Sequence, residues 1–80
     1  MEKYNCFLSR FDVGGATSEE ILDVFDDFEV EANSQQEARE KCAQKLKDMG
    51  CVDVYLSETS EEVIGTYNGI EVVYYGFDEE

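Results

Sequence analysis

Between Ser34 and Gly50 the chain carries a helix with both ends written into it, and the residues on either side change their period at those ends. Ser34-Gln35-Gln36-Glu37 fits the capping box, in which the serine and glutamate side chains satisfy backbone N–H groups reciprocally. Ala38, Cys42, Leu46 and Met49 follow at helical spacing as a narrow apolar stripe, and Gly50 supplies the left-handed stop. Glu37 in the first turn and Lys45 and Lys47 in the last suit the helix dipole. Before the helix, Phe28, Val30 and Ala32 alternate with Glu29 and Glu31, the pattern of a strand with one buried and one wet face. After it, Val52, Val54 and Leu56 alternate with Asp53, Tyr55 and Ser57 in the same way.

Asn68-Gly69 lies between two further apolar stretches, Val63–Tyr67 and Ile70–Tyr75. Such a dipeptide accepts the positive φ values of a type I′ turn and predicts a tight hairpin, with Tyr67 opposite Ile70, Gly65 opposite Val72 and Val63 opposite Tyr74. Tyr4 to Val13 reads as a first strand, although Cys6, Phe7, Leu8 and Phe11 do not select one face, and Gly14-Gly15 ends it. Thr17 to Phe28 reads either as a helical turn capped near Ser18 or as an irregular entry into the second strand; a strand beginning near Asp23 is the favoured reading. The expected architecture is a single α+β domain over residues 1–80. It has an antiparallel sheet of four to five strands with one helix packed on one face, in β-β-α-β-β order with a terminal hairpin.

Charge limits what such a fold can bind. The chain has 20 acidic and 6 basic residues in 80, a net charge of −14. Four of the cations, Arg39, Lys41, Lys45 and Lys47, fall within the predicted helix; none lies between Arg10 and Arg39 or after Lys47. A hydrophobic fraction of 42% is too rich for a disordered acidic tail. A folded surface of this sign repels nucleic acid and anionic membrane and attracts a basic protein surface. With the apolar positions of the central strands against the helix, Glu29, Glu31, Asp53 and Tyr55 project from the opposite face. Side chains two apart on a strand stand roughly 6.7 Å from each other, so carboxylates there are spaced on the scale of nucleic-acid phosphates. Asp26 and Asp27, and the group Glu58, Glu61 and Glu62, extend this array at its rims, and tyrosines add anchors of the kind enriched at interfaces. Core or hairpin packing accounts for the other tyrosines, Tyr55 excepted, because its strand parity points outward.

Catalytic chemistry finds little foothold. The chain has no histidine, and none of its Ser, Cys or Lys residues has a recognisable activating neighbour. Asp23 to Glu31 lacks the glycine and spacing of a calcium loop, and Gly14-Gly15 is followed by no GK[ST]. A non-enzymatic protein without metal or cofactor is expected. Cys6, Cys42 and Cys51 form an odd set with no C-x-x-C spacing, and read as reduced thiols in or near the core. The N-terminus has no signal-peptide order and no apolar run approaches a membrane span, so a soluble, cytoplasmic protein is expected.

The stretch Phe28-Glu29-Val30-Glu31-Ala32-Asn33-Ser34-Gln35-Gln36-Glu37-Ala38-Arg39 resembles a strand-to-helix passage common in small bacterial and phage domains. With its size, acidity and element order, the whole chain resembles the small acidic anti-CRISPR and anti-defence proteins encoded by phages. That resemblance implies an inhibitor acting as a nucleic-acid mimic on the basic nucleic-acid-binding surface of a bacterial defence protein, a CRISPR effector foremost. The alternative is a small accessory protein-interaction domain whose acidity serves solubility only.

Overall fold

A computed structural model describes residues 1–9 and 24–79 of the chain. Its elements are β1 (Glu2–Leu8), β2 (Phe28–Ala32), α1 (Gln35–Asp48), β3 (Val52–Leu56), β4 (Val63–Tyr67) and β5 (Ile70–Glu79). They form an α+β fold in which α1 packs on one face of a five-stranded antiparallel sheet; because the terminal hairpin adds two strands, the full order is β-β-α-β-β-β. Among the described residues, no helix is long and apolar enough to cross a membrane.

The helix begins and ends where its caps dictate. Ser34 holds an extended backbone, and its Oγ accepts the Glu37 N–H at 3.1 Å. At the other end Gly50 adopts φ +102°, which lets the N–H of Cys51 reach the Leu46 carbonyl (3.0 Å) and that of Gly50 the Lys47 carbonyl (3.1 Å). This pair of bonds is the Schellman arrangement, which satisfies carbonyls the helix itself leaves open. Ala38, Cys42, Ala43 and Leu46 turn inward, and Met49 packs at the margin of the core.

Across the sheet the strands run β2-β1-β5-β4-β3. The hairpin forms as its turn residues require: Asn68 and Gly69 have φ +51° and +80°, and Tyr67 pairs with Ile70, Gly65 with Val72 and Val63 with Tyr74. β5 then inserts beside β1, and it irregularly matches that strand. Between the pairs Cys6–Gly76 and Tyr4–Glu79 it carries an extra residue, at Gly76 (φ +99°) and Phe77 (φ +47°). This bulge reverses the facing of the strand, so Phe77 enters the core and is fully buried with Tyr74 and Val72. Two adjacent antiparallel pairings at the centre leave β2 and β3 as the borders, and α1 carries the chain from one border to the other beneath the three strands between.

Two sequence expectations change here. Val24–Asp27 is not a strand, and β2 begins only at Phe28. Phe25 is fully buried and packs edge-on against Tyr67 at 5.1 Å, which explains the apolar residues that suggested an earlier start. The first strand ends at Leu8, with Ser9 already outside it; residues 10–13 of the stretch predicted to Val13, together with Gly14-Gly15 and residues 17–23, lie outside the described residues.

Candidate functional site

Residues directly opposite each other in a ladder share a face, so the register sorts every side chain. Tyr4, Cys6 and Leu8 of β1 are buried beneath α1. Their neighbours Lys3 and Asn5 lie opposite Glu31 and Glu29, and these two glutamates therefore project from the open face, as their alternation predicts. Neither glutamate forms an ion pair among the described residues, and Lys3 stands across from Glu31 without closing one.

Asp53 and Tyr55 do not stand beside them. Their strand was expected in the middle of the sheet, yet β2 and β3 are its two borders, separated by β1, β5 and β4. At about 4.8 Å per strand spacing, the two sets are roughly 19 Å apart. A single continuous array of these carboxylates is thus replaced by two flanks. β3 also departs from strict alternation: three of its residues, Val52 to Val54, span two positions of β4, with Asp53 as the inserted residue at φ +52°. Val52, expected in the core, consequently lies on the open side with 59% exposure, while Val54 still packs inward. Tyr55 faces outward, as its parity predicted, at 52% exposure.

The turn between β3 and β4 divides the predicted rim. Glu58 and Glu62 border a groove of ≈ 670 Å³ together with Tyr55, Ile64 and the hydroxyls of Ser57 and Thr59. Glu61 belongs to the other side, where its Oε2 accepts from Gln35 Nε2 at 3.2 Å. The turn is organised by two residues. Ser57 Oγ accepts the N–H groups of Thr59 (3.3 Å) and Ser60 (3.2 Å). Arg39, reaching up from α1, donates to the carbonyls of Ser57 (3.0 Å), Ser60 (3.2 Å) and Glu61 (3.1 Å).

Asp26 and Asp27 have internal work. Asp27 Oδ1 accepts the Leu8 N–H at 2.8 Å, Asp26 Oδ1 accepts the Asp27 N–H at 2.8 Å, and the Asp26 carbonyl accepts the Tyr74 hydroxyl at 2.7 Å. The two aspartates therefore fasten the entry to β2 onto β1 and β5, a structural duty that the bare charge run did not reveal.

Three of the four helix cations are similarly engaged, and Lys47 is exposed with no partner among the described residues. Lys41 pairs with Glu37 at 3.5 Å and also donates to the Glu31 carbonyl. Lys45 lies 4.7 Å from the centroid of the Phe28 ring. Among the described residues Lys41–Glu37 is the one ion pair, and Glu29, Glu31, Asp53, Glu58 and Glu62 have no cation partner there.

Several open-face residues were not anticipated as a group. Tyr75 is 45% exposed and its ring lies 6.0 Å from that of Phe7; Ile64 sits between Tyr55 and Val73 in the ladder. The signal was present in Val72-Val73-Tyr74-Tyr75, an apolar run without alternation, which marks a strand apolar on both faces. Tyr74, by contrast, is fully buried, and desolvation pushes its hydroxyl well above the usual phenol range.

All three cysteines are free and buried in the core. A hydrogen bond from Cys42 to Cys6, with burial adding to it, holds the Cys42 thiol firmly protonated, and desolvation pushes Cys51 upward. Reactive thiolate chemistry is thereby disfavoured at both. No protein-family model, curated protein or solved structure matches the chain.

Proposed function

We propose that this protein is a non-catalytic binding protein that occupies the basic nucleic-acid-binding surface of another protein, a bacterial defence effector of the CRISPR type foremost. The observation that carries this reading is the distribution of partners rather than the net charge alone. Arg39, Lys41 and Lys45 are committed to a carboxylate, backbone carbonyls and an aromatic ring of the same molecule, leaving Lys47 as the free helix cation, while Glu29, Glu31, Asp53, Glu58 and Glu62 have no cation among the described residues. The charge offered outward is therefore almost purely anionic, and it complements a cationic groove. Glu29 and Glu31, two apart on β2, hold the spacing of a short phosphate run, and Glu58 and Glu62 form a second anionic group at the far border.

A fluorescent DNA oligonucleotide bound to a purified CRISPR effector complex provides the test. The protein should displace the oligonucleotide, with an inhibition constant that weakens as salt rises and screening shortens the range of attraction. Reversing Glu29 and Glu31 together, or Glu58 and Glu62 together, to lysine should weaken displacement by about tenfold per pair. Absence of displacement at low salt across effectors of different types would discard the reading.

A further inference from the structure

The open face is anionic at its margins but apolar through its centre. Cross-strand pairing sets Tyr55 beside Ile64 and Ile64 beside Val73; one step along the sheet, Tyr75 lies beside Phe7. An apolar band thus runs diagonally across β3, β4, β5 and β1, exposed at Tyr55 and Tyr75, half-buried at Ile64 and Phe7, and buried at Val73. Among the described residues five large hydrophobic side chains are exposed, and three of them, Val52, Tyr55 and Tyr75, belong to this face. Carboxylates surround the band: Glu29 and Glu31 beyond β1, Glu71 two residues before Val73, and Glu58 and Glu62 beside Tyr55. Lys3 is the one cation among the described residues of this face.

We propose that this band is the docking surface for a protein whose own contact area has an apolar centre encircled by lysine and arginine. The inference rests on the reading of a basic partner given above and assigns the contact to a particular face. The occupant follows from charge complementarity. A second copy carries the same net charge of −14 and would bring carboxylate against carboxylate around the whole perimeter, and a nucleic acid would be repelled for the same reason. Aromatic side chains at the centre of an interface control how long a complex lasts, whereas charges at its margin chiefly control how fast it forms. Tyrosine is well suited to the first role because it offers a large rigid surface at small entropic cost. Charge imitation is then the means of approach, and the tyrosine band the means of retention.

Two synthetic peptides of equal charge separate these roles: one of alternating lysine and leucine, and one of alternating lysine and glycine. Titrated against isotope-labelled protein in NMR, the leucine peptide should bind at least about tenfold more tightly at physiological salt. Its contacts should shift the amides of Tyr55, Ile64 and Tyr75, with intermolecular NOEs from leucine methyls to the two tyrosine rings. The double variant Tyr55→Ala and Tyr75→Ala should bring the two affinities together; should it misfold, the NOEs in the unaltered protein decide alone. Equal affinities, or shifts confined to the flanking carboxylates, overturn the proposal. So do NOEs in the free protein showing the rings already covered by its own residues 10–23, or a concentration-dependent mass showing them covered by a second copy. If the leucine peptide seats on the band while no effector loses its DNA, the docking surface stands and the nucleic-acid-binding reading falls.

Discussion

Arg39 shows how much a single side chain can organise when its geometry suits the task. It stands in the second turn of α1, yet its guanidinium donates to three carbonyls of the turn between β3 and β4 and also to Gln36 Oε1 at 3.2 Å. A planar fork with several donors can meet such diverging acceptors together, and a lysine ammonium on a flexible stem cannot hold the same set. Arg39→Ala should therefore cost about 1 to 2 kcal/mol in chemical denaturation, the lower part of the range for charged hydrogen bonds because the site is partly solvated. Arg39→Lys should recover less than half of that loss. Faster hydrogen exchange at Ser60 and Glu62 should accompany both variants, since the turn loses its anchor to the helix. Equal stability of all three proteins would show that water replaces the guanidinium without cost.

At the scale of elements, the terminal hairpin was legible to the residue because its chemistry is local. Asn68 and Gly69 prescribe the turn, the turn prescribes the register, and the register sends Val63, Gly65, Val72 and Tyr74 to one face. Gly69 has φ +80°, and a methyl group there would meet nothing within 4 Å. Gly69→Ala thus isolates backbone strain from steric conflict, and should destabilise by about 1 to 2 kcal/mol in thermal or urea unfolding with the same slope against denaturant. Helix α1 was equally readable, since Ser34 and Gly50 mark its ends. The lateral order of the sheet was not. Alternation in Phe28–Ala32 and Val52–Leu56 tells which side chains are wet, but carries no information about which strand lies beside which. Nor did it disclose the bulge at Asp53, an insertion that moves Val52 outward without disturbing the apolar pattern of the sequence. The candidate site suffered accordingly: Glu29, Glu31 and Tyr55 were placed on the correct face, Asp26 and Asp27 turned out to hold β2 in place, and the apolar centre emerged only once β5 was seen to lie between β1 and β4.

For the whole molecule the decisive quantity is a charge of −14 spread over a chain of 80 residues. Carboxylates such as Glu29, Glu31 and Glu58 have no counterion within the described residues, so their mutual repulsion weighs against the compact state. Raising monovalent salt from about 0.01 M to about 0.3 M shortens the Debye length from roughly 30 Å to below 10 Å, which covers the roughly 19 Å between the two anionic flanks. The midpoint of thermal unfolding should rise across that range by several degrees, as expected for a gain of about 1 kcal/mol in a domain this small. A midpoint that stayed level or fell would mean that the unfolded chain experiences the same repulsion. Strand borders carry a further meaning for the life of such a chain. Lys41 already sits on the Glu31 carbonyl, and the backbone of the opposite border is kinked at Asp53. The row of edge groups is thus interrupted at one carbonyl of β2 and by the bulge in β3, so crowded synthesis should yield separate molecules rather than fibrils.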